Sequence, residues 1–157
     1  MSGAITRRNG RVLVLAMVVA AAALLPRPLA AQHGSLSYAR IYPDNEGVSR
    51  FDDHEIAWSP LPSLHAWTTR LLEARSVGFL RLPEGFSQDY HAAPRKQFLV
   101  VMQGLFEITA GSGETRVFPP GSVLLVEDTT GQGHKTRNAG PGEVLVARVP
   151  VPPDAQR

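Results

Sequence analysis

Two stretches decide the fold of this sequence, and they read GFSQDYHAAPRKQFLVVMQG at residues 85–104 and GQGHKTRN at residues 131–138. Each stretch begins with glycine and contains one histidine, His91 or His134. Each histidine lies in or next to a run in which polar and apolar residues alternate or in which most residues are apolar. Alternation is typical of β-strands, because successive side chains point to opposite faces of a strand. Glycine permits the tight turns that join such strands. Both stretches therefore predict strands that present a histidine on one face.

The composition of the whole chain agrees with many short strands. The 157 residues are enough for one domain, and 13 prolines and 14 glycines favour strands joined by turns over a helical bundle. The absence of cysteine excludes disulfides and thiolate metal sites. Residues 59–63 are predicted as a loop, and residues 64–74 fit a short helix or a strand. The predicted strands are residues 35–42, 49–58, 76–82, 88–92, 96–103, 105–110, 114–118, 122–127, 134–138 and 143–149.

The first stretch resembles the first motif of the cupin superfamily, G-x5-H-x-H-x3-E-x6-G. The spacing is kept in full by Gly85, His91, Ala93, Gln97 and Gly104. Two of the three metal-ligand positions of the motif are changed, however, with alanine in place of histidine and glutamine in place of glutamate. The resemblance thus implies the architecture of the family with an altered site.

The second stretch resembles the end of the second cupin motif, G-x2-H-x3-N, through Gly131, His134 and Asn138. Alternation places the last two of these side chains on the same face of a strand. The resemblance covers residues 76–149 and implies an all-β protein with a cupin jelly-roll barrel, a double-stranded β-helix. We assign the barrel domain to residues 32–157. In cupins the motif positions point into the barrel.

By this resemblance, His91, Gln97 and His134 line one end of the barrel cavity, and Ala93 opens space beside them. They are the candidate ligands of one divalent transition metal, since histidine is the commonest metal ligand and an amide oxygen can coordinate. The set contains no carboxylate, so a dication would keep its whole charge in a partly desolvated pocket. A hydrogen bond from Asp128 to His134 is compatible with the spacing but not required by it.

Strand parity adds Arg95 to the candidate substrate-binding residues. Asp89, His91 and Ala93 share a face by alternation, and the parity continues after Pro94 to Arg95 and Gln97 unless a bulge intervenes. Histidine, glutamine and arginine side chains offer hydrogen-bond donors with little negative charge. The candidate site for a polar or anionic small molecule therefore consists of His91, Arg95, Gln97 and His134, with Arg95 suited to a carboxylate.

Three functions remain open at this stage, and no catalytic residue is assigned. The first is a module that binds a polar or anionic small molecule. The alternative is a metal-dependent enzyme of dioxygenase or isomerase type that uses His91 and His134. A metal-free isomerase with a histidine as general base is the third. The resemblance also implies a homodimer, which would pair through the apolar front strands of residues 36–58.

The first 31 residues read as a secretory signal peptide. Arg7, Arg8 and Arg11 precede an apolar run at residues 12–25, and small residues follow. The run of 14 residues is short for a membrane span. We expect cleavage after Ala31, no stable membrane insertion afterwards, and a mature protein that is periplasmic or secreted.

The basic character of the chain belongs to this leader. Four of the 16 basic residues lie within residues 1–31, which contain no acidic residue. Removing them leaves 12 basic residues against 14 acidic ones, so the mature chain is slightly acidic. A basic footprint for nucleic acid is absent from that composition, and we expect no nucleic-acid partner.

Overall fold

Residues 35–152 are described by the computed structural model, and their regular structure is almost entirely β-strand. One 3-10 helix, Pro62–Leu64, interrupts the strands, and no helix in this part of the chain is long and apolar enough to cross a membrane. The predicted signal peptide lies outside the described residues. The strands are β1 (Ser35–Pro43), β2 (Ser49–Ala57), β3 (Ser59–Leu61), β4 (Ala66–Thr68), β5 (Gly78–Leu82), β6 (Ser87–His91), β7 (Gln97–Gln103), β8 (Phe106–Ala110), β9 (Thr115–Phe118), β10 (Val123–Val126), β11 (His134–Asn138) and β12 (Val144–Pro150).

Two sheets enclose the core. One has six strands in the order β2-β1-β10-β7-β12-β5, and the other has four in the order β6-β11-β8-β9. Within each sheet, strands far apart in sequence are neighbours, and β1 pairs in parallel with β10 while the other described pairs are antiparallel. This winding of two sheets around one another is a double-stranded β-helix. The prediction of an all-β jelly-roll barrel is confirmed.

Alternating residues of both sheets fill the barrel. Val144 and Val146 of β12, Val101 of the neighbouring β7 and Ile108 of β8 in the other sheet belong to one core cluster, and all four are buried. Each is β-branched, as expected for strands that pack on both neighbours and the facing sheet. These apolar residues close one part of the interior. Polar residues occupy inward positions farther along the same strands, and this change of chemistry defines the site.

A second apolar cluster covers the outer face of the six-stranded sheet. Tyr38, Ile56 and Leu125 form it, and Leu72, from the segment between β4 and β5, packs against them. Residues 64–74, which fitted helix or strand, form the end of the 3-10 helix, the short strand β4 and irregular chain. The predicted loop at 59–63 instead begins with strand β3, because a two-stranded ribbon leaves a free edge where proline is tolerated.

Candidate functional site

The polar end of the barrel holds a cavity of about 320 Å³ between the two sheets. Strands from both sheets contribute to it, so residues distant in sequence meet there. No aspartate or glutamate is among the residues that line it. The polar lining consists of Arg81, Gln88, His91, Gln97, His134, Thr136 and Arg148, and the apolar lining of Leu80, Leu82, Phe86, Ala93, Pro94, Leu99, Phe106 and Val126.

A β-bulge decides which residues of β6 face this cavity. His91 lies opposite His134 on β11, but Thr136 lies opposite Gln88, so β6 has one residue more than β11 between the two pairs. Gln88 and His91 therefore both line the cavity. The expectation that Asp89 shares a face with His91 is wrong, because the extra residue reverses the parity.

Asp89 lies on the outer surface instead. Its carboxylate accepts a hydrogen bond from the Lys135 ammonium group at 2.8 Å, and this bond holds the pKa of Asp89 below its usual value. The side chain is 83% exposed. Asp89 thus stays ionised away from the cavity and supplies no carboxylate to it.

The two histidines of the motifs lie side by side in the cavity. Their ring centroids are 4.6 Å apart, with an angle of 55° between the ring planes. Nδ1 of His91 lies 2.8 Å from the carbonyl oxygen of Asp89, and since a carbonyl only accepts, Nδ1 carries the proton. This bond leaves Nε2 of His91 available to a ligand.

Asp128 holds His134 from behind. Its Oδ2 lies 2.7 Å from Nδ1 of His134, and the Asp128 side chain is completely buried. This hydrogen bond engages Nδ1 of His134, so it orients the ring and leaves Nε2 free. The bond that the spacing allowed is therefore formed. Oδ1 of Asp128 is buried with no hydrogen-bond partner among residues 35–152.

Gln97 and Ala93 lie in the same cavity as the two histidines, as the motif spacing implies. Gln97 begins β7 and is 7% exposed, and Ala93 is 4% exposed. The backbone N–H of Ala93 donates to the carbonyl oxygen of Asp128 at 3.0 Å, which ties the chain before Pro94 to the segment that supports His134. The small Ala93 side chain leaves room beside the histidines.

Arg148 is a charged cavity residue that sequence reasoning missed, as it also missed Arg81 and Gln88. It shares the inward parity of Val144 and Val146 on β12, so a charged residue continues an otherwise buried apolar row. Gly78, its register partner on β5, has no side chain, and a β-carbon there would lie 3.9 Å from Nη2 of Arg148. The signal for Arg148 was present in this alternation.

Arg95 does not line the cavity that holds His91, Gln97 and His134. It is exposed in the bend between β6 and β7, and it lines a groove and a smaller pocket next to the cavity. The inward parity expected for Arg95 fails because residues 92–96 are not a strand, so alternation does not continue through Pro94. Glu127 supplies no carboxylate to the cavity either, since it pairs with Arg40 at 2.5 Å and Lys96 at 2.8 Å and does not line the cavity.

The loop before His134 is packed tightly against the rest of the barrel. Gly133 has φ +71°, and its carbonyl accepts a hydrogen bond from the Ser49 hydroxyl at 2.6 Å. Gly131, with φ +76°, lies against the backbone of Gly47. The glycines of this loop thus permit close backbone contacts and the left-handed backbone conformation that the loop adopts. Asn138 has a structural role too, since its amide donates to the carbonyl of Gly142 at 2.7 Å.

The residues of the cavity do not fit a resident divalent metal. The imidazoles of His91 and His134 and the amides of Gln88 and Gln97 are all neutral donors, and among the described residues no carboxylate lines the cavity to balance the charge of the ion. Across residues 35–152, no cluster of three or more histidine, aspartate, glutamate or cysteine side chains is close enough to hold a metal. Arg148 adds a positive charge to the same cavity. These residues therefore give no basis for a metal-dependent reaction in the cavity.

Comparison by sequence finds no relatives. No family model matches the chain, and no curated protein is similar to it.

Comparison by structure finds proteins of the same architecture. A double-stranded β-helix protein of Klebsiella pneumoniae is 22% identical and has a TM-score of 0.41, over 51% of this chain and 69% of that one. A cupin 2 conserved barrel domain protein of Salinispora arenicola is 18% identical with a TM-score of 0.41, over 48% and 61%. A cupin domain of Bordetella pertussis is 16% identical with a TM-score of 0.40, over 76% and 94%.

These similarities are low, and the strand order of the two sheets defines the fold by itself. Residues 35–152 form a small cupin-type barrel. The chain keeps the spacing of the first cupin motif, with Ala93 and Gln97 where that motif has histidine and glutamate.

Proposed function

We propose that this protein binds a small anionic organic molecule in the barrel cavity. The observation that carries the proposal is Arg148, an arginine at an inward position of a cavity that no acidic residue lines. Within the described residues, no carboxylate lies within ion-pair distance of the Arg148 guanidinium group. A guanidinium group inside a concave site without a protein carboxylate suits a ligand carboxylate, which it can bind through two parallel hydrogen bonds.

The other polar side chains complement such a ligand. Nε2 of His91 and Nε2 of His134 are free to meet it, because both Nδ1 atoms are engaged elsewhere. Gln97 adds an amide that both donates and accepts. Leu80, Leu99 and the other apolar lining residues bury the carbon skeleton of the ligand, and this buried apolar area supplies binding affinity. The few polar side chains set the orientation of the ligand.

Replacing Arg148 tests this proposal. We expect Arg148→Gln to weaken the binding of small monocarboxylates by tenfold or more, because a charge-assisted bidentate contact contributes about 1.5–3 kcal/mol and about 1.4 kcal/mol is tenfold in affinity. Arg148→Lys keeps the charge without the planar fork and is expected to bind with intermediate affinity. The measurement is isothermal titration calorimetry with a carboxylate panel chosen by thermal shift.

The matched control is Arg70→Gln, which removes the same charge from an exposed position outside the cavity. Equal weakening by Arg70→Gln and Arg148→Gln would reduce the effect to net charge and contradict the proposal. Tight binding of neutral polyols, unaffected by Arg148→Gln, would contradict it as well.

A metal-dependent enzyme is the competing function, and elemental analysis separates the two. We expect purified protein without a histidine tag to hold far less than one transition metal per chain, even after incubation with iron, manganese, nickel or zinc, because no cavity carboxylate balances the ion. A near-stoichiometric metal that is lost in both His91→Ala and His134→Ala would overturn the binding function in favour of the enzyme.

We also propose that the protein acts after export, in the periplasm or outside the cell. The support is the order of charge, apolar run and small residues in the first 31 residues. Amino-terminal sequencing of the chain from periplasm or medium tests it, and an intact leader on all recovered protein would contradict it. A homodimer through β1 and β2 stays a prediction.

A further inference from the structure

A groove larger than the cavity lies on the outer side of the six-stranded sheet. This groove has a volume of about 730 Å³, and prolines, a tyrosine and four basic residues line it. The basic residues are Arg40, Arg75, Arg95 and Lys96. Glu127 is the only acidic residue among those that line the groove in the described part of the chain.

Two of the basic residues in the groove, Arg40 and Lys96, are in ion pairs, and the other two, Arg75 and Arg95, form its rim. Glu127 accepts hydrogen bonds from Arg40 at 2.5 Å and from Lys96 at 2.8 Å, and Arg40 also pairs with Asp52 at 2.8 Å. Within residues 35–152, the guanidinium groups of Arg75 and Arg95 form neither an ion pair nor a hydrogen bond. The groove therefore presents excess positive charge at its rim.

A smaller pocket of about 160 Å³, the connecting pocket, has lining residues in common with both this groove and the barrel cavity. It shares Ser76, Arg95 and Pro150 with the groove, and it shares Gln97 and Arg148 with the cavity. Arg95 and Arg148 thus line the same pocket. Among residues 35–152, no acidic residue lines it.

We propose that the ligand of this protein is an elongated dianion, with one anionic group at Arg148 in the cavity and the second at Arg95 in the connecting pocket. This inference rests on the proposed binding function and adds the substrate class. Two arginines that line one pocket match the two anionic groups of a single ligand, as in a straight-chain dicarboxylate or a phosphorylated carboxylic acid. Pro94 and Pro150 also line this pocket, and their apolar surface suits a hydrocarbon spacer.

A series of straight-chain dicarboxylates tests the inference, with the monocarboxylate of each chain length beside it. Calorimetry on the wild type is expected to show a dicarboxylate of one favoured length binding about tenfold more tightly than its monocarboxylate, since a second paired contact contributes on the order of 1.4 kcal/mol. Arg95→Gln is expected to remove most of that preference. A phosphorylated acid of the same length shows which second anion the site takes.

The controls separate this inference from the binding function beneath it. Arg148→Gln is expected to weaken both members of each pair, and Arg70→Gln to leave the preference intact. A wild type that binds both members equally, or an Arg95→Gln variant that keeps the preference, would overturn the dianion while the cavity site stands. A monocarboxylate that binds equally well to wild type and Arg148→Gln would overturn the binding function itself.

Discussion

Gly133→Ala is expected to lower the free energy of unfolding by about 4 kcal/mol or more, a loss that belongs to the exceptional range for single substitutions. A β-carbon at Gly133 would lie 2.0 Å from the carbonyl oxygen of His91 and 2.5 Å from the backbone nitrogen of Ala92. Both atoms belong to the backbone at the end of β6, so no side-chain rotation can relieve the clash. The loop and β6 would have to separate at the candidate site.

Gly85→Ala is the matched control, because Gly85 has φ +75° and open space around a β-carbon. Its expected loss is only the left-handed backbone energy of a non-glycine residue, about 1–2 kcal/mol. Urea denaturation followed by tryptophan fluorescence measures both variants. Equal losses in the two variants would contradict the close approach of the loop to β6, because the backbone conformation alone would then explain the result.

Asp128→Ala is expected to lower the free energy of unfolding by about 3 kcal/mol, since a buried hydrogen bond is lost and its partner is left unpaired. Nδ1 of His134 would lose the acceptor that now lies 2.7 Å away, and His134 itself is 5% exposed. Asp128→Asn keeps an oxygen that can accept this bond, so its expected loss is smaller, about 1 kcal/mol. Denaturation curves of both variants measure the difference.

A double-mutant cycle with His134→Ala checks that this loss comes from the pair. The coupling between the two positions is expected to be about 1 kcal/mol or more, as for residues in direct contact. Asp89→Ala is the control from the outer surface, and removal of this exposed ion pair is expected to change stability little. Additive effects of Asp128→Ala and His134→Ala would show that Asp128 does not hold the ring.

The sequence by itself determined the strands and the cavity end of the barrel. Most of the predicted strands agree with the structure within a few residues, because alternation with period two and the glycine turns are local signals. The motif spacing also brought His91, Gln97 and His134 to one cavity, as the family resemblance implied. The strands follow from local pattern, whereas the meeting of His91, Gln97 and His134 was predicted only through the family resemblance, because these residues lie on three different strands.

Only the tertiary structure decided the charges around the site. The bulge in β6 turns Asp89 outward, and bulges carry no signal in alternation because they are defined against a partner strand. Arg95 leaves the cavity because the chain around Pro94 is not a strand. Alternation places Arg148 on the same face as Val144 and Val146, but only the position of β12 between β7 and β5 brings this face to the cavity.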